Sequence, residues 1–251
     1  VELILTTMSR DVHSQYAPVL PSAAWQMVEL LGKLRKDGIV QIPGFYEDII
    51  PATEEENAIL NAGPNVDEAL KKTYGTYPVY DKKTGYYATL NNQPTFNISG
   101  VFSGFTGEGG ATVLPSTATD KIDMRLVVAQ SGEKILGQLK DYIRTLGYDN
   151  VEVVCRGITD PAKTSIHTPY LPVIQKAVNG IFGSSLIYPN RPSTAPDYLW
   201  TNILGLPTIQ VRWCDFDSDN HAPNEHLSVE NYLRGIALTA SALMEIGTAE
   251  L

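Results

Sequence analysis

The sequence predicts an α+β fold, in which a four-stranded antiparallel sheet with two helices in the split βαβ, ferredoxin-like order precedes an incomplete α/β segment. Two observations support this prediction. Over residues 1–157 the apolar residues follow strand and helix periods in the order βα, insertion, ββαβ. Beyond about residue 160, helical and strand patterns alternate with short links. We therefore divide the chain into residues 1–160, with an insertion at about 38–90, and residues 161–251.

The first strand and helix are indicated by the opening residues. Residues 1–8 are mostly aliphatic or β-branched, which favours a strand, and the chain opens within it, so we expect a further segment upstream. Ser22 then precedes apolar residues at helical spacing, and Gly38 is expected to end that helix. Residues 51–90 show no single period, which indicates one or two exposed helices within the insertion.

The remaining elements of the first segment follow the same logic. Alternating apolar residues predict strands over 95–103 and 117–128. Ser131 is a candidate N-cap for a helix that Gly147 closes, and 151–154 make one more strand. Two helices on one face of an antiparallel sheet complete the predicted fold of residues 1–160.

The second segment contains helical and strand patterns in alternation. Helices are predicted at 170–182, 196–204 and 228–246, and strands at 185–188 and 207–213. Two strands are too few for a stable sheet beside three amphipathic helices. Residues 161–251 are therefore expected to be part of a larger α/β domain.

Composition excludes several classes of partner. With 19 basic and 28 acidic residues the net charge is −9, and no basic cluster is present, so a nucleic-acid partner is not expected. No apolar run approaches the ~20 residues that span a membrane. Two cysteines are too few for a disulfide framework, which favours a reducing compartment, the cytoplasm.

Three residues stand out as chemically capable. His221 lies in a polar loop between a predicted strand and a helix, where a metal ligand or a solvated loop histidine are both compatible with the pattern. His13 follows the first strand and either stabilises a charged intermediate or caps a turn. Ser193 lacks the Gly-x-Ser-x-Gly context of a hydrolase nucleophile, which argues against a serine hydrolase.

Together, several short motifs in order and spacing resemble the family of dinuclear zinc aminoacylases, acetylornithine deacetylases and carboxypeptidases, including its carnosinase-like dipeptidase branch. The motifs are Arg10-Asp11-Val12-His13-Ser14, Pro21-Ser22-Ala23-Ala24-Trp25, Ile42-Pro43-Gly44-Phe45-Tyr46, Pro94-Thr95-Phe96-Asn97-Ile98, Thr112-Val113-Leu114-Pro115, Met124-Arg125-Leu126-Val127 and His221-Ala222-Pro223-Asn224-Glu225. The resemblance implies that residues 1–160 are the lid, or dimerisation, domain and that residues 161–251 are the C-terminal part of the catalytic domain.

The resemblance also implies roles for individual residues. His221 would be a metal ligand, and His13 would reach the active site of the other subunit of a homodimer and stabilise the oxyanion of the scissile carbonyl. Thr112 would contact substrate across the same interface. Arg125 would pair with the terminal carboxylate of a small peptide or N-acyl amino acid substrate, and Ser193 would contact that substrate as well.

The chain also departs from the pattern of the family. Ala17-Pro18 replace a glycine pair and Ala111 replaces a lysine, so the substrate pocket is expected to differ. In the family, a His-x-Asp motif, a bridging Asp and a Glu-Glu pair supply metal ligands and the general base. None of these precedes His13 in this sequence. The resemblance implies two Zn²⁺ ions per subunit in a parent hydrolase, yet one histidine cannot hold two ions, so this chain alone is expected to bind zinc poorly and to be inactive.

Two other functions remain open from the sequence. The chain can act as a dimerisation module that pairs through a helix and an edge strand. Alternatively, it can belong to a non-catalytic paralogue that binds amino-acid-like ligands. Light scattering tests the dimerisation module, and the upstream residues decide the paralogue reading, because a paralogue without activity would have its His-x-Asp and Glu-Glu ligand residues replaced.

Overall fold

The computed structural model describes residues 1–250, which form two compact units. The first contains Val1–Ile50, Gln93–Pro161 and Ser193–Ala195. The second contains Pro51–Asn92, Ala162–Pro192 and the chain from Pro196 onward. Most of the predicted insertion thus packs with the C-terminal segment, while the division into domains near residue 160 stays a prediction.

The helices and strands are numbered in chain order. They are β1 (Glu2–Thr6), β2 (Val12–His13), α1 (Ala23–Leu34), β3 (Arg35–Lys36), β4 (Ile39–Val40), α2 (Glu54–Asn61), α3 (Asp67–Tyr74), α4 (Tyr86–Asn92), β5 (Asn97–Ser103), β6 (Val113–Leu114), β7 (Thr117–Asp123), α5 (Gly132–Thr145), β8 (Val151–Val154), α6 (Tyr170–Phe182) and α7 (Val229–Thr248). A 3-10 turn over Ser14–Tyr16 and a π-helical turn over Leu199–Ile203 complete the set.

The first unit is organised around a four-stranded sheet in the order β5-β7-β1-β8, in which every neighbouring pair is antiparallel. The prediction of a four-stranded antiparallel sheet with two helices is confirmed. The register of the edge strand β5 against β7 shifts at Ser99, which forms a bulge, and the hydroxyl of Ser99 donates to the carbonyl of Lys121. The strand predicted over 117–128 ends earlier, at Asp123.

One face of this sheet and the two helices share a core. In β1 the alternation of the strand turns Leu3 and Leu5 inward, where both are fully buried. Helix α1 contributes Leu30, and α5 contributes Leu139, to the same cluster. An ionisable residue lies on this apolar face as well: Asp120 of β7 is 0% exposed, between buried Ala118 and Ile122. The alternating pattern of β7 predicts that position 120 is buried, but not that its side chain ionises.

Local signals determine where these helices begin. The hydroxyl of Ser22 accepts from the backbone N–H of Trp25, and that of Ser131 accepts from the N–H of Lys134. Each satisfies one of the N–H groups that the first turn of a helix leaves unpaired, so the predicted N-cap Ser131 is confirmed, and Ser22 serves as an N-cap as well. After α1 the chain turns in a short β3–β4 hairpin at Gly38, whose φ of +82° favours glycine.

Within the second unit, residues 51–92 form three helices, so the prediction of one or two exposed helices there is wrong. Helix α2 begins in a capping box, because Thr53 and Glu56 each bind the other's backbone N–H. Leu60 and Tyr87 are buried in a small separate cluster, which joins α2 to α4. Short, locally capped helices of this kind carry too few residues for a clear period in the sequence.

The rest of the second unit is helical or irregular. Helix α6 matches its prediction at both ends. Helix α7 was predicted over 228–246; it spans Val229–Thr248, is capped by Ser228 and packs against α6. The strands predicted at 185–188 and 207–213 are wrong, because neither segment is a strand in the described chain. The helix predicted over 196–204 is reduced to the π-helical turn. An α/β layer is therefore absent from the second unit as described, because strands need partner strands and helices do not.

Two further properties concern the apolar length of the helices and the state of the cysteines. Among the helices of residues 1–250, none combines the length and apolar character that crossing a membrane requires. Cys155 and Cys214 are both free thiols.

Candidate functional site

A two-residue strand pair brings two of the predicted site residues together. Strand β2 pairs with β6, in the register His13 with Val113, and the N–H of Ser14 donates to the carbonyl of Thr112 at 2.9 Å. As a result, Nε2 of His13 lies 3.4 Å from Oγ1 of Thr112, although 99 positions separate the two residues. Both side chains are exposed, so their polar atoms are accessible to a ligand.

The His13 ring has a second partner. His13 is the N-cap of the 3-10 turn, and its Nδ1 accepts from the backbone N–H of Gln15 at 3.1 Å. The turn-capping interpretation of His13 is therefore correct as a description of Nδ1. It leaves Nε2, on the other side of the ring, to face Thr112, so a structural and a chemical role are compatible in one side chain.

Asp11 anchors this region. Its Oδ1 accepts from both the backbone N–H and the hydroxyl of Ser116, at 2.8 and 2.7 Å. These hydrogen bonds, first that from the N–H and then that from the hydroxyl, lower the pKa of the Asp11 carboxyl. At neutral pH the bonds are thus made to a carboxylate.

Arg125 is held at the end of β7 by a second set of contacts. Its backbone N–H donates to the hydroxyl of Thr95 and its carbonyl accepts from the N–H of Thr95, at 3.0 and 2.9 Å. Nε of Arg125 lies 3.5 Å from a carboxylate oxygen of Asp123, and Nη1 donates to Oγ1 of Thr194 at 2.8 Å. Because Ser193 is the next residue to Thr194 and belongs to the same unit, the structure places the predicted Arg125 and Ser193 in one neighbourhood.

Asp123 and Thr194 were not identified from the sequence. Asp123 could have been found from the strand predicted over 117–128, because residues two apart on a strand share a face. Thr194 carries no such signal, because it is 69 positions from Arg125 in the sequence.

His221 belongs to the second unit, in the loop before α7. Three residues of this loop other than glycine have positive φ: Asp219 at +52°, His221 at +63° and Asn224 at +67°. Such conformations are costly and concentrate at functional sites. The loop is tied to the helix by Asp215, whose carboxylate accepts from the backbone N–H of Ser228 at 2.6 Å. That bond is the main cause of a lowered pKa at Asp215.

The described residues do not by themselves fit a dinuclear metal centre. In the stretch from Val1 to Glu250, no three side chains of His, Cys, Asp or Glu approach closely enough to hold one ion. His221 is exposed and can supply at most one ligand. A metal held by this chain alone is thus not supported by its donor set.

Fold and motifs together define the class. Residues 1–151 match the profile of the peptidase dimerisation domain of the M20 peptidases, so the chain belongs to the M20 family. The family inferred from the sequence motifs is confirmed.

Individual relatives are metallodipeptidases. The chain is 25% identical over 247 residues to the Beta-Ala-His dipeptidase of Homo sapiens, a match that covers 94% of this chain and 48% of that protein. It is 24% identical over 261 residues to the Cys-Gly metallodipeptidase of Saccharomyces cerevisiae, covering 96% of this chain and 52% of that protein. The chain thus spans about half the length of these relatives.

Solved structures agree with this assignment. An M20 family metallo-carboxypeptidase from Sulfolobus solfataricus superimposes with a TM-score of 0.88 at 29% identity, over 96% of this chain and 56% of that one. Human carnosine dipeptidase 1 superimposes with a TM-score of 0.85 at 22% identity, which supports the fold.

Proposed function

We propose that this chain is the lid domain and the C-terminal part of the catalytic domain of a dinuclear zinc peptidase that cleaves a dipeptide or an N-acyl amino acid. In this proposal residues 1–160 form the ferredoxin-like lid, and residues 161–251 complete a catalytic domain whose other part carries most metal ligands and the general base. The observation that carries the proposal is the contact between His13 and Thr112, because it joins the two residues predicted to act on one substrate.

His13 suits the stabilisation of a tetrahedral intermediate. A proton on Nε2 makes that atom a hydrogen-bond donor, and Thr112 marks the position where an oxygen acceptor can approach it at 3.4 Å. A donor aimed at the oxygen of the scissile carbonyl stabilises the charge that develops there. The same histidine would serve the active site of the partner subunit.

Arg125 suits the terminal carboxylate of the substrate. Its guanidinium offers five N–H donors, of which Thr194 engages one and Asp123 faces another. The remaining donors are enough for a carboxylate, and Ser193 precedes Thr194, the residue that Arg125 contacts. His221 would complete the metal site from the second unit as a single ligand, with zinc supplied and mostly held by the other part of the enzyme.

The test compares the 251-residue chain with the full-length protein that contains it. We expect the full-length protein to hydrolyse dipeptides and the 251-residue chain not to do so. In the full-length protein, His13→Ala should lower kcat by about 10²–10³-fold. His167→Ala is the matched control, since His167 is an exposed histidine of the second unit that the proposal does not use. Hydrolysis by the isolated chain that a chelator abolishes would refute the proposed division of the active site.

A dimerisation module is favoured by a specific surface of the first unit. Strand β5 is an edge of the sheet and exposes Val101 and Phe102. Helix α1 packs mainly against β7, the neighbour of β5, and leaves Trp25 69% exposed and Val28 exposed on its outer face. An exposed edge strand beside an apolar helix face is a natural pairing surface, so we propose a homodimer formed through it.

Light scattering at micromolar concentration tests the homodimer. We expect a dimer for the wild-type chain and a monomer for Val101→Lys, because a charge on the edge strand opposes pairing. Val79→Lys is the control, since Val79 is 99% exposed and lies in the second unit. A monomeric wild type would argue against the module.

We further propose a cytoplasmic location, which the two free cysteines support.

A further inference from the structure

His13 lies on an unusually short strand. The β2–β6 pair contains two residues on each side, and so short a ladder has little stability of its own in water. Beyond His13 the ladder is continued by the bond from the N–H of Ser14 to the carbonyl of Thr112. What holds the position of His13 must therefore include contacts at the opposite end, before Val12.

Asp11 and Ser116 provide those contacts. Ser116 is buried, and both its N–H and its hydroxyl donate to one carboxylate oxygen of Asp11. The carbonyl of Ser116 accepts in turn from the N–H of Thr7 at 2.8 Å, just after β1. Bonds to an ionised acceptor are stronger than neutral ones. The Asp11 carboxylate thus ties the start of β2 to the segment that links β6 with β7.

The ring itself is fixed at a second point. Nδ1 of His13 accepts from the N–H of Gln15, and only a ring nitrogen without a proton can accept. The proton of the neutral ring must then be on Nε2, the atom that faces Thr112. His226 has the opposite arrangement, because its Nδ1 lies 3.0 Å from the carbonyl of Asn224, which can only accept.

We infer that Asp11 is a positioning residue for His13: through Ser116 it fixes the strand on which the ring, held by the Gln15 N–H, presents a protonated Nε2. Asp11 touches no substrate in this arrangement. That the Nε2 donor stabilises an intermediate rests on the proposed function. The new element is that Asp11 keeps this donor in place.

Nitrogen NMR of the histidine side chains tests the inference on the 251-residue chain. In the wild type, the long-range ¹H–¹⁵N spectrum is expected to show Nε2 of His13 as the protonated nitrogen and Nδ1 as the unprotonated one. His226 is expected to show the reverse pattern in the same spectrum, which makes it an internal reference. A mixture of the two tautomers at His13 would overturn the tautomer assignment.

Variants test the role of Asp11. In Asp11→Ala the His13 signals should move towards those of a freely exchanging imidazole, and the amide of Gln15 should exchange with solvent about tenfold faster, the equivalent of one hydrogen bond. Asp11→Asn keeps an acceptor oxygen and should restore most of the wild-type pattern, and Ser116→Ala should fall between the two. Asp141→Ala, at an exposed aspartate of α5 in the same unit, is the matched control and should change neither signal.

The outcomes separate this inference from the proposed function. If Asp11→Ala leaves the His13 ring signals and Gln15 exchange unchanged while Ser116→Ala does the same, Asp11 does not position His13. If the NMR results are as expected but the full-length protein hydrolyses no dipeptide, the positioning stands and the proposed activity fails. In an active full-length enzyme, Asp11→Ala should lower kcat more than tenfold with KM little changed, and Asp11→Asn should recover most of the loss.

Discussion

In the first unit a four-stranded sheet and two helices enclose one core, whereas the second unit is built from helices that leave many large apolar side chains exposed. Helix α7 shows this best: one side packs against α6, with Leu238 buried, while Val229, Ile236 and Leu243 are exposed at helical spacing on another. Exposed apolar stripes of this length are typical of surfaces that bind another protein segment.

The difference between the units shows that strands depend on a neighbouring strand and that helices do not. Helices form in both units because caps such as Ser131 and Ser228 and their own i to i−4 hydrogen bonds are local. Among residues 1–250, strands form only in the first unit's sheets and pairs, where each has a neighbour to bind. The described residues of the second unit therefore form helices without a sheet to cover. This arrangement is compatible with the proposed division of the catalytic domain.

The largest expected effect is on the first core. Leu30→Ala should destabilise the first unit by about 2–5 kcal/mol, because it leaves a cavity at a fully buried position. Leu243→Ala in α7, where the side chain is 69% exposed, should change stability by less than about 0.5 kcal/mol. Hydrogen exchange of the β1 and β7 amides measures the first, and urea unfolding the second. Equal effects at the two positions would contradict the comparison.

The next effect concerns pH. Burial raises the pKa of Asp120 to about 6, and neither of its carboxylate oxygens has a hydrogen-bond partner. The folded state then holds the Asp120 proton more tightly than the unfolded state does, so the contribution of Asp120 to stability is greatest below about pH 4, falls as pH rises to about 6, and is level above that.

Asp120→Asn should remove this dependence. We expect the variant to be about 3 kcal/mol more stable than the wild type at pH 7, since the pKa rises from 3.8 to about 6 and one pKa unit corresponds to about 1.4 kcal/mol, and to be similar to the wild type at pH 4. Denaturant unfolding at several pH values measures the difference. Asp149→Asn, at an exposed aspartate of the same unit, is the control and should show no such crossover. A wild type that becomes more stable from pH 4 to 6 relative to Asp120→Asn would rule out this sign.

The smallest expected effect is that of the helix N-caps in the two units. Ser131→Ala and Ser228→Ala each remove an N-cap and should cost about 1 kcal/mol. The second should cost more, because the hydroxyl of Ser228 also donates to the Asp215 carboxylate at 3.0 Å. Circular dichroism during denaturation measures both, and Ser→Thr at each site, which keeps a capping hydroxyl, is the control. A larger loss at Ser131 would mean that tertiary packing outweighs the caps.

The sequence predicted the first unit well because its elements are long and periodic and its caps are local. It failed at 185–188 and 207–213, where β-branched residues favour strands but no described partner strand is present. The three short helices of 51–92 were underestimated, since eight or fewer residues hold barely two turns of pattern.

The sequence named the candidate site residues, but it did not predict which of them lie in contact. His13, Thr112, Arg125, Ser193 and His221 were reached through motif order, while their roles stay predictions. The proximity of His13 to Thr112 and of Arg125 to Thr194 depends on pairings across 99 and 69 positions, which no local pattern encodes. Asp120 was missed because the alternation of β7 assigns a position to the core without requiring that its occupant be apolar.

The bulge at Ser99 has a consequence for assembly. It interrupts the regular spacing of donors and acceptors along β5, the strand at the open side of the sheet, and bulges twist such a strand out of plane. A flat strand from an unrelated chain, or an endless stack of copies, would meet mismatched hydrogen bonds there. In the proposed homodimer two symmetric copies of β5 would meet with the same irregularity, whereas the bulge would oppose the growth of the sheet into fibres.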